Sequence, residues 1–387
     1  MRILIVCARF PDAQGKGDQQ RSLQLARLLA EHQHDVRVIA TARPASEAQR
    51  TTVAQVATVV PLRVGVPYRA AGAIVGLFAG RPLQVGWMMP ARAHAAVAHA
   101  AAESDAVIVV TIRCLRAPLP APTVLDHIDA LSANMRQRAT LERRLPLRAA
   151  ARAEAWLLAR HERRAARWVI AQLVVSPLDA HALPQEPRPV VLPLVLDLPG
   201  GSAQPPPGCD GSREPDGARD VDLIFTGDMR YPPNRDAAEW LACEIVPALR
   251  ATHPGARVII AGRGAAKLGQ APDIELLSDV PDLARLLRRA RVAAVPLRSG
   301  TGTPIKVHEA AAGGAAVVST PWVAEATGAN IDTASDASGF AAAIAALLDD
   351  EALRLRRVAD LRASLLGSSS ESVWQVLDGV LARVKVL

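Results

Sequence analysis

Four short segments of the 387-residue sequence combine glycine or other small residues with charge in patterns that suit a phosphorylated ligand, and a fifth sets a histidine among aspartates. The most informative is RSGTGTPIK, which ends at Lys306. Small residues let a backbone approach a ligand closely. Free N–H groups at a helix start bind phosphate, and a lysine adds a point charge. Glu309 follows Lys306 within one helical turn, where a carboxylate accepts two hydrogen bonds from a ribose diol. Thr301, Gly302 and Thr303 lie in the same loop and are candidate ligand contacts. Read locally, the segment is equally an ordinary turn with a solvated lysine and a helix-start glutamate.

The other segments carry weaker signals. Gly15-Lys16-Gly17 is not a GxGxxG fingerprint, and the acidic partner of a dinucleotide site is not obvious; it suits either a diphosphate or a plain turn. Arg263 between two glycines can meet a diphosphate or simply face solvent. Gly227 opens a loop that runs to Asn234. Asp126-His127-Ile128-Asp129 places an imidazole beside two carboxylates, suited to a polar contact or proton transfer, although a lone histidine is usually structural. The chain has only four lysines, Lys16, Lys267, Lys306 and Lys385, and two of them fall inside these glycine loops. In a sequence this rich in Arg, that hints at places where Arg fails.

The elements that position these residues follow from hydrophobic period. ILIVCA at 3–8 is a buried parallel strand. RSLQLARLLAEHQ is a helix with Leu23, Leu25, Leu28 and Leu29 at helical spacing, and DVRVIAT is the next strand. This is the opening of a doubly wound α/β domain, and AVIVVT and PTVLDHID continue it. The Pro- and Gly-dense stretch 199–220 cannot pack and is predicted to be a flexible linker. After it the alternation restarts with VDLIFTG, ARVIIAGRG, RVAAVPL and AAVVSTP. The predicted domains are therefore 1–198 and 221–370, with a helix in 371–387 that crosses back to the first. Every glycine or acidic segment named above follows a strand, where open α/β sheets bind ligands.

Composition narrows the partners. Half the residues are hydrophobic, which suffices for two cores. A net charge of +7 favours anions such as nucleotides, phosphates or a membrane surface. No basic run is interleaved with aromatics, so nucleic acid is not an expected partner. The segment 136–167 holds ten arginines against three glutamates. It reads as a solvated face, or as a peripheral contact with anionic membrane. Cys7, Cys114, Cys209 and Cys243 form no CxxC pair, so neither zinc nor a disulfide framework is expected. The amino terminus has no signal-peptide pattern, and no run of eighteen apolar residues occurs. The expected place is the cytoplasm, including the inner face of its membrane.

The segments FTGDMRYPPNRDAAEWLACEIVPALRATHPGARVIIAGRG and VPDLARLLRRARVAAVPLRSGTGTPIKVHEAAAGGAAVVST resemble glycosyltransferase family 4, the group 1 glycosyltransferases. MRILIVCARFPDAQGKGDQQRSLQLARLLAEHQHDVRVIA resembles their opening, and VLDHIDALSANM resembles a segment of one subset. The resemblance implies the GT-B fold, two facing Rossmann-like domains with an interdomain cleft. It implies a hexosyltransferase-like enzyme that takes a nucleoside-diphosphate sugar as co-substrate, retains anomeric configuration and requires no metal or other cofactor. The acceptor would be a lipid-linked saccharide, a polysaccharide or a small natural product. By the same resemblance Lys306 contacts the donor diphosphate, Glu309 the ribose, and Gly15 and Gly17 lie near the diphosphate. Gly227, Arg263, Gly302 and Thr303 line the donor side, and His127 or Asp129 is the acceptor-side polar residue. Thr301 stands where the family's Glu-x7-Glu motif has its first glutamate, which bears on sugar identity and on activity. The rival readings are a sugar-nucleotide epimerase of the same fold and a silent nucleotide-sugar-binding partner protein.

Overall fold

Runs of Val, Ile, Leu and Ala too apolar for a half-solvated strand form the centres of two parallel sheets. The computed structural model describes residues 1–13, 15–142, 144–195, 219–269, 273–300, 302–365, 367 and 369–386. Two compact units emerge: Met1–Val195 with Ser370–Leu387, and Leu196–Ser369.

In the first unit, β1 (Arg2–Cys7), α1 (Gly17–Glu31), β2 (Asp35–Ala40), α2 (Glu47–Ala54) and β3 (Thr58–Val60) come first. Then follow α3 (Val66–Phe78), α4 (Leu83–Met88), α5 (Ala91–Ala102), β4 (Ala106–Val110) and β5 (Thr123–Ile128). The basic segment forms an antiparallel pair, α6 (Leu131–Leu141) and α7 (Leu145–Ala166). It precedes β6 (Ala171–Val174), α8 (Pro177–Ala182) and β7 (Val190–Val191). The strand order is β3-β2-β1-β4-β5-β6-β7, all parallel. Because side chains alternate along a strand, Ile3 and Ile5 of β1 pack with α1, whereas Leu4 and Val6 pack with α5 and α7.

The second unit contains β8 (Val221–Thr226), α9 (Pro232–Trp240), α10 (Val246–Arg250), β9 (Val258–Ala261), β10 (Ile274–Leu277) and α11 (Leu283–Arg288). Next come β11 (Ala290–Val295), α12 (Ile305–Gly313), β12 (Ala316–Ser319), α13 (Pro321–Thr327), β13 (Asp332–Thr333), α14 (Ala337–Asp349) and α15 (Glu351–Ser364). Its parallel order is β10-β9-β8-β11-β12-β13. A π-turn over Leu241–Ile245 joins α9 to α10. Pro247, just beyond, has no N–H to donate to the preceding turn. Finally α16 (Ser370–Ala382) contributes Val373, Leu377, Val380 and Leu381 to the core of the first unit.

Most of the predicted linker, 199–218, lies outside the described residues. Arg219 and Asp220, at its end, are instead fixed to the second unit. Asp220 pairs with Arg257 and Arg289, and Arg219 donates to the Ala290 and Gly313 carbonyls. Among the described residues no helix is long and apolar enough to cross a membrane.

One buried ion pair ties the first unit together. Arg21 of α1 is fully buried, and its Nε donates to Asp126 Oδ2 of β5 at 2.7 Å. Its Nη1 and Nη2 donate to the Pro193 and Leu192 carbonyls at 2.7 and 2.9 Å. Asp126 Oδ1 also accepts the Ile128 N–H at 3.0 Å. A charge left alone in such a place is strongly destabilising. Arg21→Leu is expected to cost the first unit about 3–5 kcal/mol, and Arg21→Leu with Asp126→Leu clearly less than the sum of the single changes, as read by urea denaturation.

Candidate active site

In the second unit the strand order turns back between β8 and β11. Crossovers on either side of such a point leave on opposite faces, so the loops after β8 and β11 diverge and their backbone stays uncovered. Lys306, in the first turn of α12, reaches across this gap. Its Nζ donates to Asn234 Oδ1 at 2.7 Å and lies 4.5 Å from the centroid of the Phe225 ring at the end of β8. Removal from water lowers its pKa to about 7, against a smaller opposite pull from Glu309. Glu309, half-buried one turn on, is pushed up by the same loss of water and is only partly offset by Lys306. Two charges are thus held out of water at the amino end of a helix with incomplete compensation, a setting that favours an incoming anion.

Close backbone packing sets the floor of this site. Gly262 has φ +130°, and a Cβ there would lie 2.0 Å from the Gly227 carbonyl oxygen. Gly227 N–H donates to the Ala261 carbonyl at 2.9 Å, and Met229 N–H to the Arg263 carbonyl at 2.8 Å. Asn234 Nδ2 donates to the Asp228 carbonyl at 3.1 Å, so one amide grips the loop and presents its oxygen to Lys306. The Asp228 carboxylate receives Arg230 at 2.6 Å and stands 3.8 Å from Arg263, which hold it below the usual carboxylate range, Arg230 foremost. Both guanidinium groups remain more than half exposed at the rim. Asn234 and Asp228 were not singled out in the sequence; the PPN that follows a strand end is the signal for Asn234.

In the loop after β11, Gly302 has φ +71°, and Thr303 Oγ1 donates to the Ala326 carbonyl at 3.4 Å. Arg298 anchors this loop by a two-pronged bond to Asp236 at 2.6 and 3.1 Å, over the Trp240 ring. Thr301 lies outside the described residues. Gly227, Arg263, Gly302, Thr303, Lys306 and Glu309 therefore share the carboxyl edge of one sheet.

The remaining candidates occupy the matching edge of the first unit, at two places. Gly15, Lys16 and Gly17 follow β1. Gly17 is already the first residue of α1, because Gln19 bonds back to the Lys16 N–H at 3.1 Å and starts the helix earlier than predicted. Asp129 lies two strands away, after β5. Asn134 Nδ2 donates to it at 2.6 Å. Loss of water and then the neighbouring Asp179 raise its pKa to about 7. His127 is 1% exposed, with Nε2 3.0 Å from Gln172 Oε1, and burial lowers its pKa to about 4. His127 lies inside β5 and is buried, whereas Asp129 lies just past the end of the strand at Ile128, so the edge presents Asp129 and not His127. Two β-branched residues here adopt left-handed backbone, Thr111 at φ +71° and Ile128 at φ +66°. Such strain persists only where the surroundings enforce it, and it clusters at functional sites.

Residues 220–350 match the sequence profile of the family described as "Glycosyl transferases group 1". The match lies wholly within the second unit. The chain is similar to glycogen synthase of Mycobacterium tuberculosis, at 28% identity over 204 residues that span 46% of this chain and 46% of that protein. It thus matches less than half the length of this curated relative. The two units together have the GT-B fold. They superpose on HepE of Anabaena, solved in complex with UDP and glucose, with TM-score 0.63 and 16% identity over 99% of this chain and all of that one. WaaG, a glycosyltransferase involved in lipopolysaccharide biosynthesis, matches with TM-score 0.58 and 15% identity over 99% of both chains.

Two predictions test this site. Gly262→Ala is expected to destabilise the second unit by at least about 2 kcal/mol and to abolish nucleotide binding. Gly255→Ala, whose Cβ meets nothing within 4 Å, is expected to do neither; thermal melts and calorimetric titration with UDP check this. Second, a bound diphosphate raises the Lys306 pKa from about 7 toward its ordinary value. Below pH 7 the lysine is charged with or without ligand. Above it, binding takes up a proton, so UDP affinity should fall by up to about tenfold per pH unit. Calorimetry in buffers of different ionisation enthalpy reads the uptake directly, and Lys306→Arg should remove it.

Proposed function

We propose that the protein transfers a sugar from a nucleoside-diphosphate sugar to a hydroxyl acceptor, with the donor nucleotide on the second unit. The observation that carries this reading is the half-buried Lys306, braced by Asn234 across the β8–β11 gap, with Glu309 one turn along α12. The group 1 profile over the same residues and the UDP bound in a protein of the same fold support it.

Cleavage of the donor's glycosidic bond builds negative charge on the diphosphate and positive charge on the sugar. Lys306, the amino end of α12 and the rim guanidinium of Arg263 stabilise the first. Glu309 accepts hydrogen bonds from the ribose hydroxyls. With that much fixed positive charge the reaction proceeds without a metal. The acceptor approaches the leaving-group face, its oxygen bonds to the anomeric carbon as the phosphate departs, and the phosphate takes the acceptor proton. Configuration is thereby retained, and no carboxylate pair of the glycosidase kind is needed. On the first unit Asp129 is the group that meets acceptor hydroxyls. The acceptor is a saccharide on a lipid carrier, a polysaccharide end or a small natural product.

Incubation with a panel of nucleotide sugars, with and without a cell lipid extract, tests the reading through release of nucleoside diphosphate. Release with one donor, unchanged by EDTA and lowered about 10²–10³-fold by Lys306→Ala, is expected. Conversion of the donor to another nucleotide sugar without acceptor would instead mark an epimerase. Nucleotide binding without turnover toward any acceptor would leave a binding protein.

A further inference from the structure

Helix α3 is turned inside out. A helix of a soluble domain ordinarily buries its large apolar side chains and exposes polar ones. Here the buried residues are Ala73 and Gly76. A Cβ on Gly72 would stand 2.6 Å from the Gly86 carbonyl oxygen of α4, and one on Gly86 2.5 Å from that of Gly72. The two backbones touch, and no large side chain fits between them. The large side chains point outward instead: Ile74, Val75 and Leu77 are half or more exposed, and Phe78 is 89% exposed. Leu83 and Trp87 of α4 extend the patch.

The charge around this patch has one sign. From residue 48 to residue 102 there is no Asp or Glu, and there are five arginines. The single charged side chain of α3, Arg69, folds back to the Thr41 and Val64 carbonyls, which leaves the outer face of the helix uncharged. The patch is also joined to the basic helix pair. The Glu154 carboxylate of α7 caps α4, accepting the Leu83 and Gln84 N–H groups at 2.9 and 3.0 Å. Glu154 thus ties the apolar ridge to the helix pair that carries Arg138, Arg152, Arg160 and Arg163. A second copy would bring this acid-free segment against itself, arginine to arginine. An anionic bilayer offers apolar depth for the ridge and phosphates for the arginines.

We propose that α3 and α4 seat the protein on an anionic lipid bilayer, with Ile74, Val75, Leu77 and Phe78 entering the headgroup boundary and the arginines of α6 and α7 facing lipid phosphates. This is independent of sugar transfer, and its test contains no sugar or nucleotide.

The full chain is sedimented with vesicles of phosphatidylcholine alone and with vesicles containing a third phosphatidylglycerol. Binding to the anionic vesicles, at least about tenfold tighter than to the neutral ones and weakened by added salt, is expected. The surface substitution Val75→Ser with Phe78→Ser should lower it about tenfold or more while the thermal melt stays unchanged. On the unsubstituted chain, Trp87 emission should shift to the blue and be quenched by brominated lipid, and Trp87→Phe should remove that signal. Three results would overturn the proposal: no binding to anionic vesicles at low salt, binding that Val75→Ser with Phe78→Ser leaves intact, or a dimer that the same substitution dissociates.

Discussion

A charge taken out of water must be met by another charge or by hydrogen bonds, and the protein meets that demand in two ways. Arg21 is met in full, by Asp126 and two carbonyls, and its fork fastens α1, β5 and the segment at 192–193 into one body. Lys306, Glu309 and Asp129 are met only in part, and each has a pKa displaced toward its neutral form by loss of water. The first arrangement is a structural tie. The second leaves electrostatic demand for a ligand to satisfy, and it occurs at the carboxyl edges of the sheets.

The two edges keep their loops in place by different means. In the second unit, glycine takes the backbone shapes that other residues resist, as at Gly262, where the Gly227 carbonyl leaves no room for a side chain. In the first unit, Thr111 and Ile128 take comparable shapes despite branching at Cβ. Such a conformation costs about 1–3 kcal/mol per residue, which the packed ends of β4 and β5 must hold. Asp129 follows directly on one of these strained residues, so its direction is set by backbone and not by a free rotamer.

Much of this was legible in the sequence because parallel strands buried on both faces read as unbroken apolar runs, and every functional loop follows one. Lys306 and Glu309 were legible through their spacing of one helical turn. Asn234 and Asp228 were not, because their roles rest on contacts to loops distant in sequence, Lys306 for one and Arg263 for the other. His127 looked equivalent to Asp129 in a run of polar residues; the two share strand parity, and the end of β5 at Ile128, after a register shift that begins at Asp126, separates the buried residue from the one at the edge. Helix α3 is illegible for a different reason. A strongly apolar segment reads as core, and only the glycine contact between α3 and α4 shows that its large residues have no inner side to fill.

The return of α16 to the first unit has a bearing on how the chain is made. Val373, Leu377, Val380 and Leu381 complete a core whose other residues end at Val195, and Trp374 stacks on His32 at 3.6 Å. During synthesis the whole second unit leaves the ribosome before these residues do. The second unit therefore folds on a chain whose first unit still lacks one wall, and that uncovered wall is apolar. A nascent chain in this state shows chaperones a surface that the finished protein does not have.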